Sequence, residues 1–253
     1  MSGRSSTGDG SSPVTRSFSA FASGSACGLG VSSEERPPDP STRVKLTVRP
    51  LTPDLWPALE DLFGENGACN GCWCMYARIG SAYRKRPREE NRAAFRTIVR
   101  RGPPPGLLAF NSEVPVGWCQ LTPRESVPWL DRTWRLKRVD DVPVWSLSCL
   151  YVRKGYRRQG ITSALIAAAL EAARRAHAPA LEAYPFDADV SPSASGTGYA
   201  STFARAGFKT VVRRAPARPI MRYDLKTGRS TRRGTLGPRQ ARARQRAPTP
   251  GAA

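Results

Sequence analysis

Arg157, Arg158 and Gly160 sit where an apolar, β-prone run, Trp145 to Val152, gives way to an alanine-rich stretch, Ile161 to about Ala176. Strand, glycine-containing loop and helix in that order point free backbone N–H groups at one spot, which suits a phosphate. Arginines there add charge-assisted hydrogen bonds to the same oxygens. The spacing Arg157-x-x-Gly160-x-Thr162 therefore reads as a pyrophosphate cradle. The helix that follows is amphipathic, with Ile161, Leu165, Ile166, Leu170 and Ala173 on one face and Glu171, Arg174 and Arg175 elsewhere.

The cysteines are the second group with chemical potential. Cys69, Cys72 and Cys74 are closely spaced, with Cys27, Cys119 and Cys149 elsewhere in the chain. A closed zinc site takes four ligands and this run offers three, so Cys119 or Cys149 would have to complete it. His177, the single histidine, is far away at a helix end. A Cys69–Cys72 redox pair is the other reactive alternative, but the strand–helix context of such motifs is missing. Small buried thiols beside Trp73 and Tyr76 are the preferred reading, with no metal assigned.

These residues must be positioned by a mixed α/β scaffold. Val44 to Pro50 alternates as a strand, and Pro53 to Phe63 is a helix with Leu55, Leu59 and Leu62 on one side. A second helix, Glu89 to Arg101, ends at Gly102-Pro-Pro-Pro-Gly106. Leu107 to Phe110 and Val114 to Leu121 form a hairpin, and Pro123 to Pro143 reads as irregular. The strand Val144 to Val152, the long helix and a strand at Ala180 to Tyr184 follow. Tyr199 to Gly207 is a short helix stopped by glycine, and Phe208 to Val212 and Pro219 to Leu225 are the last strands.

The ends have a different composition. Residues 1–42 are rich in Ser, Gly and Pro, and residues 227–253 carry seven arginines, no acid and no aromatic. Neither can bury enough apolar surface to offset ordering entropy. The expected organisation is a disordered extension over 1–42, one domain over 43–226 and a disordered basic tail over 227–253. The formal charge of +20 places +14 on the domain. Such charge attracts polyanions in general. No basic-aromatic or zinc-finger reader is present, so a specific nucleic-acid partner is not expected. No apolar run reaches the length of a membrane span. Gly24-Ser25-Ala26-Cys27 is weakly similar to a lipoprotein cleavage site but lacks the usual Leu, and the N-terminus reads as disordered.

Together, Arg157-x-x-Gly160-x-Thr162 and the later helix–Gly207–Phe208–strand ending resemble the GCN5-related N-acetyltransferase (GNAT) family, over roughly Val44 to Leu225. Thr162 stands where that family usually has Gly or Ala. The resemblance implies an acyl-CoA N-acyltransferase fold, with a mixed, mostly antiparallel sheet flanked by helices. It also implies acetyl-CoA as co-substrate, a primary amine of a small molecule or protein as acceptor, and a cytoplasmic protein. Cofactor contacts fall on Tyr151, Val152, Arg157, Arg158, Gln159, Gly160, Ile161, Thr162 and Ser163. Trp73 and Tyr76 would border the acceptor site. The strand before the loop lacks the family's frequent carboxylate, which leaves Glu182 as the candidate base. Phe203 occupies the place of the family's frequent tyrosine acid, so Tyr199, four residues earlier, is the candidate donor. Those two departures keep open a catalytically degenerate CoA-binding module, with a basic nucleic-acid-binding protein as a more remote reading.

Overall fold

The computed structural model describes residues 46–190 and 196–225. The expected extension over 1–42 and tail over 227–253 lie outside the described residues. Seven strands, β1 (Leu46–Pro50), β2 (Gly106–Asn111), β3 (Val114–Pro123), β4 (Trp145–Val152), β5 (Ala180–Ala183), β6 (Lys209–Ala215) and β7 (Arg218–Asp224), form one sheet in the order β1-β2-β3-β4-β5-β7-β6. β4 and β5 are parallel; every other neighbouring pair is antiparallel. The helices are α1 (Trp56–Phe63), α2 (Tyr76–Ile79), α3 (Arg88–Arg101), α4 (Trp129–Arg132), α5 (Ile161–Arg175) and α6 (Ala200–Arg205). The stretch read as irregular, 123–143, holds α4 and two 3-10 turns, Arg124–Ser126 and Trp134–Leu136.

Strand alternation sends side chains to two different cores. Leu107 and Ala109 of β2 and Cys119 and Leu121 of β3 meet Ile161, Leu165, Ile166 and Ala169 of α5. Leu108, Phe110 and Trp118 point the other way, toward α1 and α3 and the aromatic residues Trp56, Trp73 and Phe95. A third cluster on that second face joins Ala77, Leu130, Leu136, Tyr184 and Ile220. Leu165 and Ile166 are fully buried, and each such side chain contributes about 1.5–3 kcal/mol of transfer free energy.

Gly117 lets α5 approach the sheet. A Cβ at that position would stand 2.6 Å from Ile161 Cγ2. The first turn of α5 therefore rests directly on β3, at a height set by one missing methyl group. α3 carries Glu89 and Glu90 in its first turn and Arg100 and Arg101 in its last, a distribution that complements the helix dipole.

Candidate active site

The central feature is a sheet that opens. β4 pairs with β5 only through Trp145↔Leu181, Ser146↔Glu182 and Leu147↔Ala183, whereas β4 itself runs on to Val152. Within the same strand the register against β3 slips, from Gln120↔Cys149 to Leu121↔Leu147, so Ser148 is the extra residue of a β-bulge. A bulge bends its strand and re-aims the residues after it. β5 ends at Ala183 while β4 runs on to Val152, so beyond the bulge the edge of β4 borders a wedge that β5 does not fill.

Backbone groups of β4 face this wedge. Arg153 N donates to Val116 O at 2.9 Å, on the β3 side, and Leu150 N donates to Gly196 O at 2.8 Å, on the opposite side. Alternation therefore turns the Val152 N–H into the wedge. Tyr151, whose ring packs edge-on to Phe63 at 5.6 Å, points to the second face.

The loop after β4 is built for a tight turn. Gly155, Arg158 and Gly160 all have positive φ, at 91°, 64° and 79°. Gln159 Nε2 donates to Gly155 O at 3.1 Å and braces the turn. Arg153 ties its start to the scaffold, through Pro115 O at 2.9 Å and Asp61 at 2.7 Å. Gly160 is the N-cap of α5 and no side chain caps that end. The first bond of the helix runs from Ala164 N to Gly160 O at 3.0 Å, so the N–H groups of Ile161, Thr162 and Ser163 have no acceptor within the helix. Gly160, Arg158 and Ser163 are exposed, and Arg157 and Thr162 are half-buried. Backbone donors, helix dipole and arginines converge on one surface at the mouth of the wedge. The loop and cofactor positions read from sequence are thus contiguous.

The expected catalytic side chains are placed differently. Glu182 is 1 % exposed. Its Oε1 accepts from Arg222 Nε and Nη2 at 3.1 and 2.7 Å, and its Oε2 accepts from Arg124 Nη1 and Tyr184 Oη, both at 3.1 Å. Four donors fill the four acceptor positions of the carboxylate, which leaves it no lone pair for a substrate proton. The expectation of Glu182 as base is corrected to an ion-pair hub. Burial and the adjacent Glu182 charge raise the Tyr184 hydroxyl pKa well above the ordinary tyrosine value.

Tyr199 lies outside α6 as its N-cap, in extended conformation, so it does not share a helix face with Phe203 as the i, i+4 spacing suggested. Its hydroxyl donates to Val190 O at 2.6 Å, and its backbone bridges Phe186, in the segment that follows β5. Phe203 is fully buried against Phe208, ring centres 5.1 Å apart.

Trp73 is also corrected. It is 1 % exposed, stacked on Trp56 at 5.9 Å and edge-on to Phe63 at 5.5 Å, so it shapes the core and offers no surface to an acceptor. Tyr76 is 41 % exposed and keeps a free flank while packing edge-on to Tyr83 at 6.2 Å.

The thiols lie beneath this region. Cys74 Sγ accepts from Trp118 Nε1 at 3.0 Å, and its charged form is disfavoured by burial and then by Cys149. Burial, then the neighbouring Cys149, pushes the Cys72 thiol up to about 11. Among the described residues no group of three or more His, Cys, Asp or Glu side chains could hold a metal ion. Sequence reading missed the polar strip beside these thiols. Ser148 Oγ donates to Gln120 Oε1 at 2.9 Å, and Gln120 Nε2 donates to Cys74 O at 3.2 Å. It also missed Arg124, an arginine 1 % exposed. An Arg in a proline-rich connection carries no sequence signal of burial.

Residues 72–191 match the model of the acetyltransferase (GNAT) family. Over these residues the chain is a GNAT acetyltransferase segment. The GNAT match spans β2 to β5, including the wedge, the phosphate-type loop and α5, and it makes the protein an acyltransferase enzyme. No curated protein sequence matches the chain. Solved structures similar to it include PaiA N-acetyltransferase from Thermoplasma acidophilum in complex with coenzyme A, at 17 % identity, 72 % of this chain, 99 % of that chain and TM-score 0.44. Another is yncA of Salmonella typhimurium with its cofactor acetyl-CoA, at 14 % identity, 73 % and 96 % coverage and TM-score 0.44. A third is an N-acetyltransferase from Staphylococcus aureus Mu50, at 16 % identity, 72 % and 98 % coverage and TM-score 0.42. No helix among the described residues is long and apolar enough to cross a membrane.

Proposed function

We propose that the protein transfers an acetyl group from acetyl-CoA to a primary amine. The observation that carries this reading is the wedge between β4 and β5, with the Val152 N–H turned into it and the uncapped start of α5 at its mouth. A pantetheine arm can thread the wedge and pair with strand groups as a substitute for β5. The pyrophosphate is then received by the N–H groups of Ile161 to Ser163 and by Arg157 and Arg158, with Gln159 holding the loop in shape.

Attack by a neutral amine on the thioester carbon forms the amide and releases the CoA thiolate. The amine proton leaves to solvent or to the thiolate, because Glu182 has no free acceptor position. In this reading Glu182 is a positioning residue that fixes Arg124 and Arg222 under the acceptor side. Tyr199 is the candidate donor to the thiolate, because its bridge to Phe186 sets it beside the segment that meets Leu150. Its hydroxyl must first exchange the Val190 carbonyl for the sulfur.

Calorimetry with acetyl-CoA, followed by thiol release across a panel of amines, tests this reading. Saturable acetyl-CoA binding and amine-dependent thiol release are expected. Absence of acetyl-CoA binding overturns it.

A further inference from the structure

Arg218 begins β7 and has the parity of Ile220 and Arg222, so it faces the side of the sheet opposite α5. Its guanidinium lies 4.0 Å from the centre of the Phe186 ring, and its Nη1 donates to Thr197 Oγ1 at 3.2 Å. Thr197 follows Gly196, whose carbonyl takes the Leu150 N–H next to the β4 bulge. Arg218 is therefore tied to the β4 wedge through two consecutive residues. Arg135 and Tyr76 both lie within electrostatic reach of Arg218, next in sequence to Leu136 and Ala77 of the apolar cluster that also holds Ile220.

This rim of Arg218, Arg135 and Tyr76 is positive and uncompensated. Among the described residues neither Arg218 nor Arg135 has an ion-pair partner, whereas Arg213 has one and Arg124 and Arg222 have two each. Burial, reinforced by Arg135, lowers the Arg218 guanidinium to about 10, and Tyr76 is the one neighbour that opposes the shift. A half-buried guanidinium held on a ring face without an anion is a group waiting for one, since burying a charge is costly until it is paired. The cofactor's phosphates do not fill this role, because their loop opens α5 on the opposite face.

The geometry points to an acceptor that carries its own oxyanion: an amine with a carboxylate or phosphate, gripped by Arg218 and Arg135 and flanked by Tyr76, with its amino group reaching toward the β4 bulge. This rests on the acetyl-transfer reading and names its substrate class. Polycations such as polyamines and aminoglycosides are repelled by the same rim.

The test uses the full chain and matched amines: amino acids against their decarboxylated counterparts, phosphoethanolamine against ethanolamine, and spermidine. Acetyl-CoA affinity is measured in parallel. Expected is a kcat/KM for the anionic members about 10- to 100-fold above their matched neutral partners, the worth of one charge-assisted contact. Arg218→Gln erases the preference by lowering only the anionic members, Arg218→Lys retains part of it, and acetyl-CoA affinity is unchanged in both. Equal use of the matched pairs, a preference for spermidine, or an equal loss on both members in Arg218→Gln overturns the proposal while leaving acetyl transfer standing. Loss of acetyl-CoA binding by the native protein overturns both readings and is seen separately by calorimetry. Carboxylate and phosphate arms that differ identify which oxyanion is read.

Discussion

Arg124 and Glu182 meet at 3.1 Å in the interior, each with a side chain 1 % exposed. The pair does not stand alone. Arg124 also holds Asp131 at 2.7 Å and the Leu136 carbonyl at 2.6 Å, while Glu182 holds Arg222, which in turn grips Asp140 at 2.7 Å. One chain of charges thus fastens β5, β7 and the 124–140 connection together beneath the acceptor rim.

Removing one end of a buried pair strands the other charge, a loss of about 3–5 kcal/mol. Glu182→Ala is expected to destabilise by that amount in denaturant unfolding, and Glu182→Gln by less, since the amide retains an acceptor. If Glu182 were the base, Glu182→Gln would instead abolish turnover in a protein of near-native stability and remove the acidic limb of the pH–rate profile. Turnover and profile close to native support the ion-pair role.

The same network fixes acid sensitivity. The Arg222 hydrogen bond holds Asp140 below its ordinary value of 3.8. Burial alone would raise Asp131, but its bond from Arg124 outweighs that and lowers it below 3.8 as well. A carboxylate with a depressed folded pKa stabilises the fold above its unfolded pKa and loses that contribution as pH falls through the folded value. Stability should therefore be flat in this respect from pH 7 to about 5 and fall below about 4. Asp131→Asn should lower stability at pH 7 and flatten the acid limb, read by thermal unfolding across pH.

The thiols should be quiet in the native protein. Burial pushes Cys119 up to about 12 and Cys72 up to about 11, and Cys74 well above its ordinary value. The thiolate is the nucleophile, and at pH 7.5 these groups are almost wholly protonated. Alkylation followed by peptide mass analysis should leave Cys72, Cys74 and Cys119 unlabelled when native and labelled in denaturant. Fast native labelling at Cys72 would contradict the packing.

The order of strands and helices from β1 to β7 was legible because period 2 and period 3.6 alternate along the chain with glycine stops between them. The loop that opens α5 was legible for the same reason: its shape depends on backbone groups, which the strand–Gly160–helix order alone specifies. Side-chain roles were not. Trp73 and Tyr76 are three residues apart and chemically alike, yet one is core and one is surface, because positive φ at Trp73 and Cys74 folds the loop back under α1. Glu182 alternates correctly for a strand, but its charged partners come from residues 124 and 222, distances that no local pattern records. The β4 bulge at Ser148 is equally silent, since an extra residue in a strand leaves no compositional mark.

The seat of α5 should control cofactor affinity. Gly117→Val places branched carbons where a Cβ already meets Ile161 Cγ2 at 2.6 Å and Leu165 Cδ1 at 3.2 Å. The first turn must lift from β3, and the Ile161 to Ser163 N–H groups move with it. Acetyl-CoA affinity should fall at least about tenfold, with overpacking destabilisation of about 1–3 kcal/mol. Arg157→Glu should weaken binding by a similar or larger factor through like charge beside a pyrophosphate. Titration calorimetry reads both affinities, and thermal unfolding reads the overpacking in Gly117→Val.

Tyr199 is the side chain we propose as proton donor to the CoA sulfur. Phe203, in the place where a donor would be expected, is fully buried and has none to give. The Tyr199 hydroxyl donates to Val190 O at 2.6 Å, so its proton is oriented but committed. Tyr199→Phe deletes one oxygen and leaves the ring, the Phe186 bridge and the cap conformation in place. General-acid assistance is typically worth about 10²–10⁴-fold, and a thiolate leaves readily, so a loss toward the lower bound is expected in kcat, with acetyl-CoA affinity nearly unchanged. The measurement is made where chemistry limits the rate, because slow CoA release would hide the effect. A kcat and pH profile equal to native assign the hydroxyl to holding the 190 segment alone, and the released thiolate then takes its proton from the attacking amine nitrogen or from water.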